Sequence, residues 1–501
     1  MTIAKGLLLG TAASLVAVAG AQAADLPVKA KPVEYVKVCS LYGAGFFYIP
    51  GTDTCIKLGG AVRVQAEFNA GGGGIPVGLG STTEANQGFL TRDATNDTNF
   101  RTRIDFSVDA RQQTEYGTLR SYFRFGVQET TPNDGPPNSG VAFWDRAFIQ
   151  FAGFTVGRTV SFYDGVTWAD FNYNNSRTTF DSGANGITLW AYTAQLGNGI
   201  SASLSAEDPS GRFKGVTRFD TGAFVFGGNV SNNNGLAGQS STNNGMLFPD
   251  IVGNLRVDQA WGSAQVMAAM HDASGGYYAG NAVSSGHPDN AFGWAVGGAF
   301  SINLPSFGTT SNVNSQPNVD QLRFSASFTR GAVGYATNEN GGSFLVNGNS
   351  TSAFANLYDG WYLPARALGI APATQVNLAT AWSAYGGYQH LWTPNWRTSL
   401  YGGYFKFDPG GDLNTLVCDG LSTFGSCFSW STWQVGSRTQ WNPVSQLDIG
   451  VDLLYSKLNS EFSGSRLGVV PAFIPGKSGL LSIADQDVWS VMFRVQRNFW
   501  P

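Results

Sequence analysis

From residue 56 to residue 499, apolar side chains recur at every second position in short runs. Side chains of a β-strand project alternately to its two faces, so a period of two marks a strand with one apolar and one polar face. In 56–68, Leu58, Val62, Val64, Ala66 and Phe68 share one face, and Lys57, Arg63, Gln65 and Glu67 share the other. Segment 100–111 sets Ile104, Phe106, Val108 and Ala110 against Arg101, Arg103, Asp105, Ser107, Asp109 and Arg111. Segment 118–128 sets Leu119, Phe123, Phe125 and Val127 against Arg120, Tyr122, Arg124 and Gln128. The same pattern predicts strands over 142–151, 154–160, 187–196, 200–207, 250–258, 262–271, 292–303, 321–334, 381–391, 396–407, 430–441, 446–457 and 487–499, sixteen in all. In the last, Trp489, Val491, Phe493 and Val495 alternate with Ser490, Met492, Arg494 and Gln496, just before Trp500 and Pro501.

The connections sort by length. Those after even-numbered strands are mostly short: 112–117, 152–153, 197–199, 259–261, 392–395 and 442–445. Those after odd-numbered strands are mostly long and rich in Gly, Asn and Ser, as in 69–99, 208–249, 336–380 and 458–486. Tight turns on one rim and long loops on the other are the asymmetry of a barrel in an outer membrane. The connection 304–319 is too long for its place, which leaves eighteen strands as the alternative to sixteen. The fold expected is all-β: a 16-stranded antiparallel transmembrane β-barrel with short periplasmic turns, long external loops and an inward-folded third loop. A soluble sandwich would be too large for one core at this length, and no repeat of propeller-blade length occurs.

Composition narrows the environment. Charged residues are 13% of the chain, aromatic residues are also 13%, and Gly numbers 65 of 501. Charge so sparse suits a surface that faces hydrocarbon, where an outward Arg or Lys at mid-bilayer costs about 2–4 kcal/mol. With a net charge of −4, no nucleic-acid partner is expected. The N-terminus reads as a secretory signal, with Lys5, an apolar core over 7–18 and a small-residue cleavage site at Ala21-Gln22-Ala23. After Ala23 no stretch approaches the ~18 apolar residues of a helical span. Three regions follow: a signal peptide over 1–23, a leader with a cysteine block over 24–54, and a transmembrane barrel over 55–501. The leader's first part, 24–34, carries Pro27, Pro32, Lys29 and Lys31 and reads as extended chain.

Four cysteines fall into two local pairs, Cys39 with Cys55 and Cys418 with Cys427. Export to an oxidising compartment predicts disulfides, and proximity favours the local pairing among the three possible. The thiols lack CxxC spacing, and His271, His287 and His390 are scattered, so no metal or other cofactor is expected.

Catalytic motifs are thin. Gly476-Lys477-Ser478 resembles the end of a phosphate-binding loop, but the required earlier glycine is Pro471. No Gly-x-Ser-x-Gly elbow occurs. His271 shares a face with Ser263 and Gln265, which places it toward water. The cationic residues are more telling. Arg101, Arg103, Arg120 and Arg124 lie opposite the apolar face on two strands joined by a tight turn, and Arg146 on the next strand extends the set. In a closed barrel the polar face lines the pore, so these five form a basic wall. The connection 161–186 carries Phe162, Tyr163, Asp164, Trp168, Asp170 and Phe171, too aromatic for an ordinary exposed loop. Folded into the lumen, it would bury the rings and turn Asp164 or Asp170 toward the arginines.

The sequence resembles the porin family of alphaproteobacteria. The resemblance is carried by Val36 to Cys39, Tyr42 to Arg63, Arg146 to Arg158, Ser161 to Asp164, Asp250 to Asp272 and Arg494 to Phe499. It implies a homotrimer of sixteen-stranded barrels in outer-membrane lipid, with the third external loop bent inward as a constriction. It further implies passive diffusion of small hydrophilic solutes without a cofactor or catalysis. The end at Trp500-Pro501 departs from the terminal aromatic of many outer-membrane proteins, and loops 208–249 and 336–380 are long for the family. Other readings of the same pattern are a channel selective for a sugar or an anion, a barrel plugged by its loops that serves adhesion or structure, and a barrel lipase or protease.

Overall fold

The computed structural model describes residues 37–68, 98–131, 140–173, 178–183, 186–219, 239–241, 247–278, 283–304, 319–337, 344–347, 351–355, 357–363, 374–410, 429–461, 464–467, 480–483 and 485–499. Sixteen strands form one antiparallel barrel: β1 Cys55–Phe68, β2 Thr98–Thr114, β3 Gly117–Thr131, β4 Val141–Phe151, β5 Phe154–Thr159, β6 Ile187–Gly197, β7 Ile200–Glu207 and β8 Asp250–Gln259. The circuit continues through β9 Gly262–Asp272, β10 Phe292–Leu304, β11 Asp320–Arg330, β12 Thr380–Thr393, β13 Trp396–Asp408, β14 Trp430–Trp441, β15 Leu447–Ser460 and β16 Gln486–Asn498. Each strand pairs with its neighbours in sequence, and β16 closes on β1 from Ala61↔Asn498 to Phe68↔Val491. Closure leaves no unpaired edge, which is what a sheet in lipid requires.

The choice between sixteen and eighteen strands is resolved at one turn. Leu304 pairs directly with Asp320, so β10 and β11 are adjacent and no barrel strand lies between them. The short connections are tight hairpins. Asn198 and Gly199 both have positive φ, 51° and 73°, the backbone of a two-residue turn that matches strand twist.

Alternation does the sorting expected of it. On β16, Trp489, Phe493 and Val495 are exposed while Ser490 and Met492 are buried. Across the barrel, outward aromatics gather near the two rims. One belt runs Trp382–Tyr404, Trp433–Tyr455 and Tyr455–Trp489, with ring centroids 4.9, 5.2 and 4.9 Å apart. The other includes Phe154–Tyr192 at 4.9 Å and Trp396–Trp441 at 5.6 Å. On β13 the belts are eight residues apart, from Trp396 to Tyr404. At a rise of ~3.4 Å per residue and a tilt near 40° that is roughly 20 Å of height, close to the apolar band of such barrels.

Further elements sit outside the barrel wall, among them a small sheet of Phe344–Asn347, Thr351–Ala355, Gly464–Leu467 and Leu480–Ile483. At the tight-turn rim, Phe47–Tyr48 pairs with the start of β1, and Cys39 is bonded to Cys55, their Cα atoms 6.0 Å apart. Arg111 lies over Phe46 at 4.9 Å and secures this knot to β2. Cys418 and Cys427 lie outside the described residues, as do the signal region, most of the leader and the Gly476-Lys477-Ser478 segment. At the opposite rim, Val216–Phe219, Gln239–Ser241, Gly360–Tyr362 and Asn377–Leu378 form a small sheet that joins loops 208–249 and 331–379.

Candidate functional site

The site is built from the polar face of the strands and the connection that follows β5. On β10 and β11 that face carries Ala295, Gly297, Ala299, Ser325 and Ser327, whereas the outward face carries Trp294, Val296, Phe300, Phe324 and Phe328. Small side chains leave room on one side of the wall only. Tyr163 fills it, its hydroxyl 2.7 Å from that of Ser327, packed with Met267, Ala295 and Ala299. Gly165 comes so close that an added Cβ would lie 2.5 Å from the Cβ of Ala299. Further along, Trp168 and Phe171 bury against Tyr385, Tyr401 and Leu454. A buried aromatic side chain contributes about 1.5–3 kcal/mol, so these rings hold the segment to the strands.

Main-chain hydrogen bonds continue the contact around the circuit. The carbonyl of Phe162 accepts from Asn254 and Gln265, that of Gly165 from Arg256, and that of Thr167 from Arg323, at 2.6, 3.1, 3.0 and 2.6 Å. Tyr173 donates its N–H to Asp452 on β15, and its carbonyl accepts from Arg494 on β16 at 3.0 Å. The rings of Tyr173 and Phe171 carry guanidinium groups above them, Arg494 at 4.2 Å and Arg323 at 4.6 Å. The segment from 161 to 173 thus contacts the polar face of strands from β8 to β16.

The five sequence-nominated arginines share that polar face, and Arg101, Arg120 and Arg124 meet carboxylates of the strands themselves. Arg120 grips Asp109 with both Nε and Nη2, at 3.0 and 2.9 Å. Arg124 reaches Asp105 at 2.8 Å and Asp145 at 3.7 Å. Arg101 lies 3.5 Å from Glu67, and Arg103 donates to Gln128. Arg146 donates to the carbonyls of Asp145 and Gly183, and so bridges β4 to the far end of the connection.

Asp164 and Asp170 take their hydrogen-bonded partners elsewhere, while the Asp164 charge also acts on Arg146 of the wall. Asp164 receives Arg212 at 2.6 Å and the amide of Ser182 at 2.7 Å, and Asp170 receives Arg323 at 3.3 Å. The reason is local. Asp105 and Asp109 already stand on the arginine-bearing face, one strand spacing from Arg124 and Arg120, and an acid on the adjacent strand outcompetes one on a loop. Asp164 still shares a cavity with the wall. A space of about 400 Å³ is bounded by Arg146, Arg256 and Arg323 and by Asp164 and Asp181. The Asp181 carboxyl is pushed up to about 7, by burial first and by the Asp164 carboxylate second.

Sequence reasoning left several residues out of the basic set. Arg63, Arg256, Arg323, Arg438 and Arg494 occupy polar-face positions by the same parity that nominated the five, so the signal was present. Arg212 carried none, because it sits in a loop without a period. His271 corrects an expectation: it is not toward water but fully buried. Its Nδ1 is 2.7 Å from Asp250 and its Nε2 3.5 Å from Asp359 of loop 331–379, which covers it.

Comparison with known proteins follows the same outline. Porin Omp2b of Brucella canis is 32% identical over 271 residues, covering 52% of this chain and 63% of that protein. Porin Omp2b of Brucella suis is 33% identical over 269 residues, covering 52% and 64%. The chain therefore matches less than two thirds of these relatives' lengths. Among solved structures, the outer membrane channel DcaP of Acinetobacter baumannii superposes with a TM-score of 0.52 at 14% identity, over 90% of this chain and 99% of that one. That likeness speaks for the barrel alone. The sequence pattern described under the heading "Porin subfamily" matches residues 25–490, and with it the chain belongs to that family of bacterial outer-membrane β-barrels.

Proposed function

We propose that this chain forms a water-filled channel for passive diffusion of small hydrophilic solutes and ions across the bacterial outer membrane, and that it is not an enzyme. Residues 161–173 fold into the lumen and constrict it, the polar face lines the water column, and the protein assembles as a homotrimer. The observation that carries this reading is the course of 161–173, whose backbone and rings bond to the polar face of strands from β8 to β16. A segment tied to that face narrows whatever passes along it. Planar-bilayer recording tests the reading. Stepwise conductance that rises when residues 164–171 are removed supports it, and silence or an unchanged step size refutes it. Migration as a trimer before heating and as a monomer after it tests the assembly.

A preference for small anions follows from Arg146 at the cavity. Of the other charges bordering it, Arg256 is paired with Asp258, Arg323 with Asp170 and Asp164 with Arg212, and the Asp181 carboxyl is pushed up to about 7. A reversal potential of the anion-selective sign in a salt gradient supports this second step, and the opposite sign excludes it.

A further inference from the structure

Arg212 follows the short turn Pro209–Gly211 beyond β7, in the first part of a long outer loop. It is 3% exposed. Its guanidinium joins three separate stretches of chain. Nη2 donates to Asp164 at 2.6 Å, and Nη1 donates to the carbonyl of Phe180 at 2.6 Å and to that of Gly334 at 3.1 Å. Its plane lies over Tyr335 at 4.6 Å and Tyr163 at 5.7 Å. Asp164 and Phe180 belong to the outgoing and returning limbs of the segment after β5, so one side chain staples both limbs together. Gly334 belongs to loop 331–379, and no side chain fits there: a Cβ would lie 1.8 Å from the carbonyl oxygen of Arg212.

The staple is itself held from outside the barrel. Asp359 accepts the amides of Lys214 and Val333, both at 2.7 Å, and thereby ties the stretch after Arg212 to loop 331–379. Tyr335 donates to Asp250 at 2.8 Å, and Asp250 and Asp359 flank His271. Asp164, Arg212, Tyr335, Asp250, His271 and Asp359 form one connected, buried polar chain. It runs from the loop rim of β8 and β9 to the segment at the cavity.

We propose that Arg212 is a positioning residue through which residues 208–219, 331–337 and 357–363 set the shape of the constriction, so that these outer-loop residues behave as one body with residues 161–173 and 178–183. This rests on the reading of residues 161–173 as the constriction. A fork that satisfies two limbs and a neighbouring loop at once has no equivalent in a point charge, so lysine restores only part of its role.

The test is single-channel recording of the full-length protein in four forms: Arg212→Gln, Arg212→Lys, Asp164→Asn and the Arg212→Gln/Asp164→Asn pair. The expected result is a higher conductance and noisier open state in Arg212→Gln, partial return in Arg212→Lys, and no further change in the double variant. Heat-dependent gel mobility should match the parent, which a general loss of barrel stability would not allow. Should Arg212→Gln fail to fold, Asp164→Asn alone must show the raised conductance. Parental conductance in Arg212→Gln, with a widened pore after removal of 164–171, overturns the staple and spares the constriction. Parental conductance in both overturns the constriction and the staple with it.

Discussion

Asp105 illustrates how a single residue decides the field in the lumen. It is 2% exposed and holds Arg124 at 2.8 Å, while Asp145 stands farther off at 3.7 Å. Replacing it with Asn removes the nearer counter-charge and keeps the shape. The reversal potential of Asp105→Asn should therefore move toward anions, and a shift toward cations would contradict the pairing. Asp181 makes the same argument titratable. Its carboxyl is neutral below about 7 and charged above it. The groups around it are the Asp164 carboxylate, the Arg212 guanidinium and the amides of Trp168 and Gly183. Because its native value is raised, the group binds a proton in the folded state that the unfolded chain has released. Its contribution to stability is therefore greatest in acid and is lost as pH rises through 7. For conduction, anion preference should strengthen as pH falls from 8 to 6 and should stop doing so in Asp181→Asn. Recording reversal potentials across that range in both proteins checks the sign.

At the scale of strands and loops, the outward face faces solvent hydrocarbon and the inward face is shaped for its neighbours. Leu400 on β13 is 60% exposed and lies midway between the aromatics of the two belts. Leu400→Arg should cost about 2–4 kcal/mol, as a cation at the bilayer midplane does, and Thr398→Arg, nearer the turn rim, should cost less. Denaturant-dependent refolding into vesicles, followed by gel mobility, measures both; equal costs would mean the face is not in lipid. These strands were legible because a period of two survives any loop. The expected starts and ends of β8 and β9 fall within a residue of those observed, and the anomalous 304–319 connection left β10 in place, whereas β11, expected over 321–334, ends at Arg330 because Val333–Tyr335 turn as a 3-10 helix. The same parity put the five arginines with Asp105 and Asp109 on the polar face but not their pairings, since it assigns a face and no height or partner. Asp164 was nominated as an acid of the aromatic-rich connection after β5, and its Arg212 partner could not be read from that pattern. Arg212, Asp359 and Tyr335 come from segments with no period, brought together only by the closed barrel that anchors their ends.

For the molecule as a whole, that closure is the property on which everything else depends. β16 is the last piece of it: eight residue pairs join it to β1, and twelve join it to β15. In lipid, an unpaired N–H or C=O finds no water, and each costs several kcal/mol. A chain lacking 486–501 would expose an edge on β1 and another on β15, a cost beyond the few kcal/mol of net stability that folded proteins possess. It would also lose Arg494, which holds the carbonyl of Tyr173, and Phe499, whose amide donates to Gly60 at 2.9 Å. Removing only residues 500–501 leaves every one of these pairings intact. The longer truncation should therefore give no heat-shifted band and no conductance after refolding into vesicles, whereas the shorter one should give both. A conducting, heat-modifiable species from the longer truncation would mean that β1 and β15 can meet without their intermediary. The register that carries the arginine wall, the cavity and the staple would then have to be redrawn.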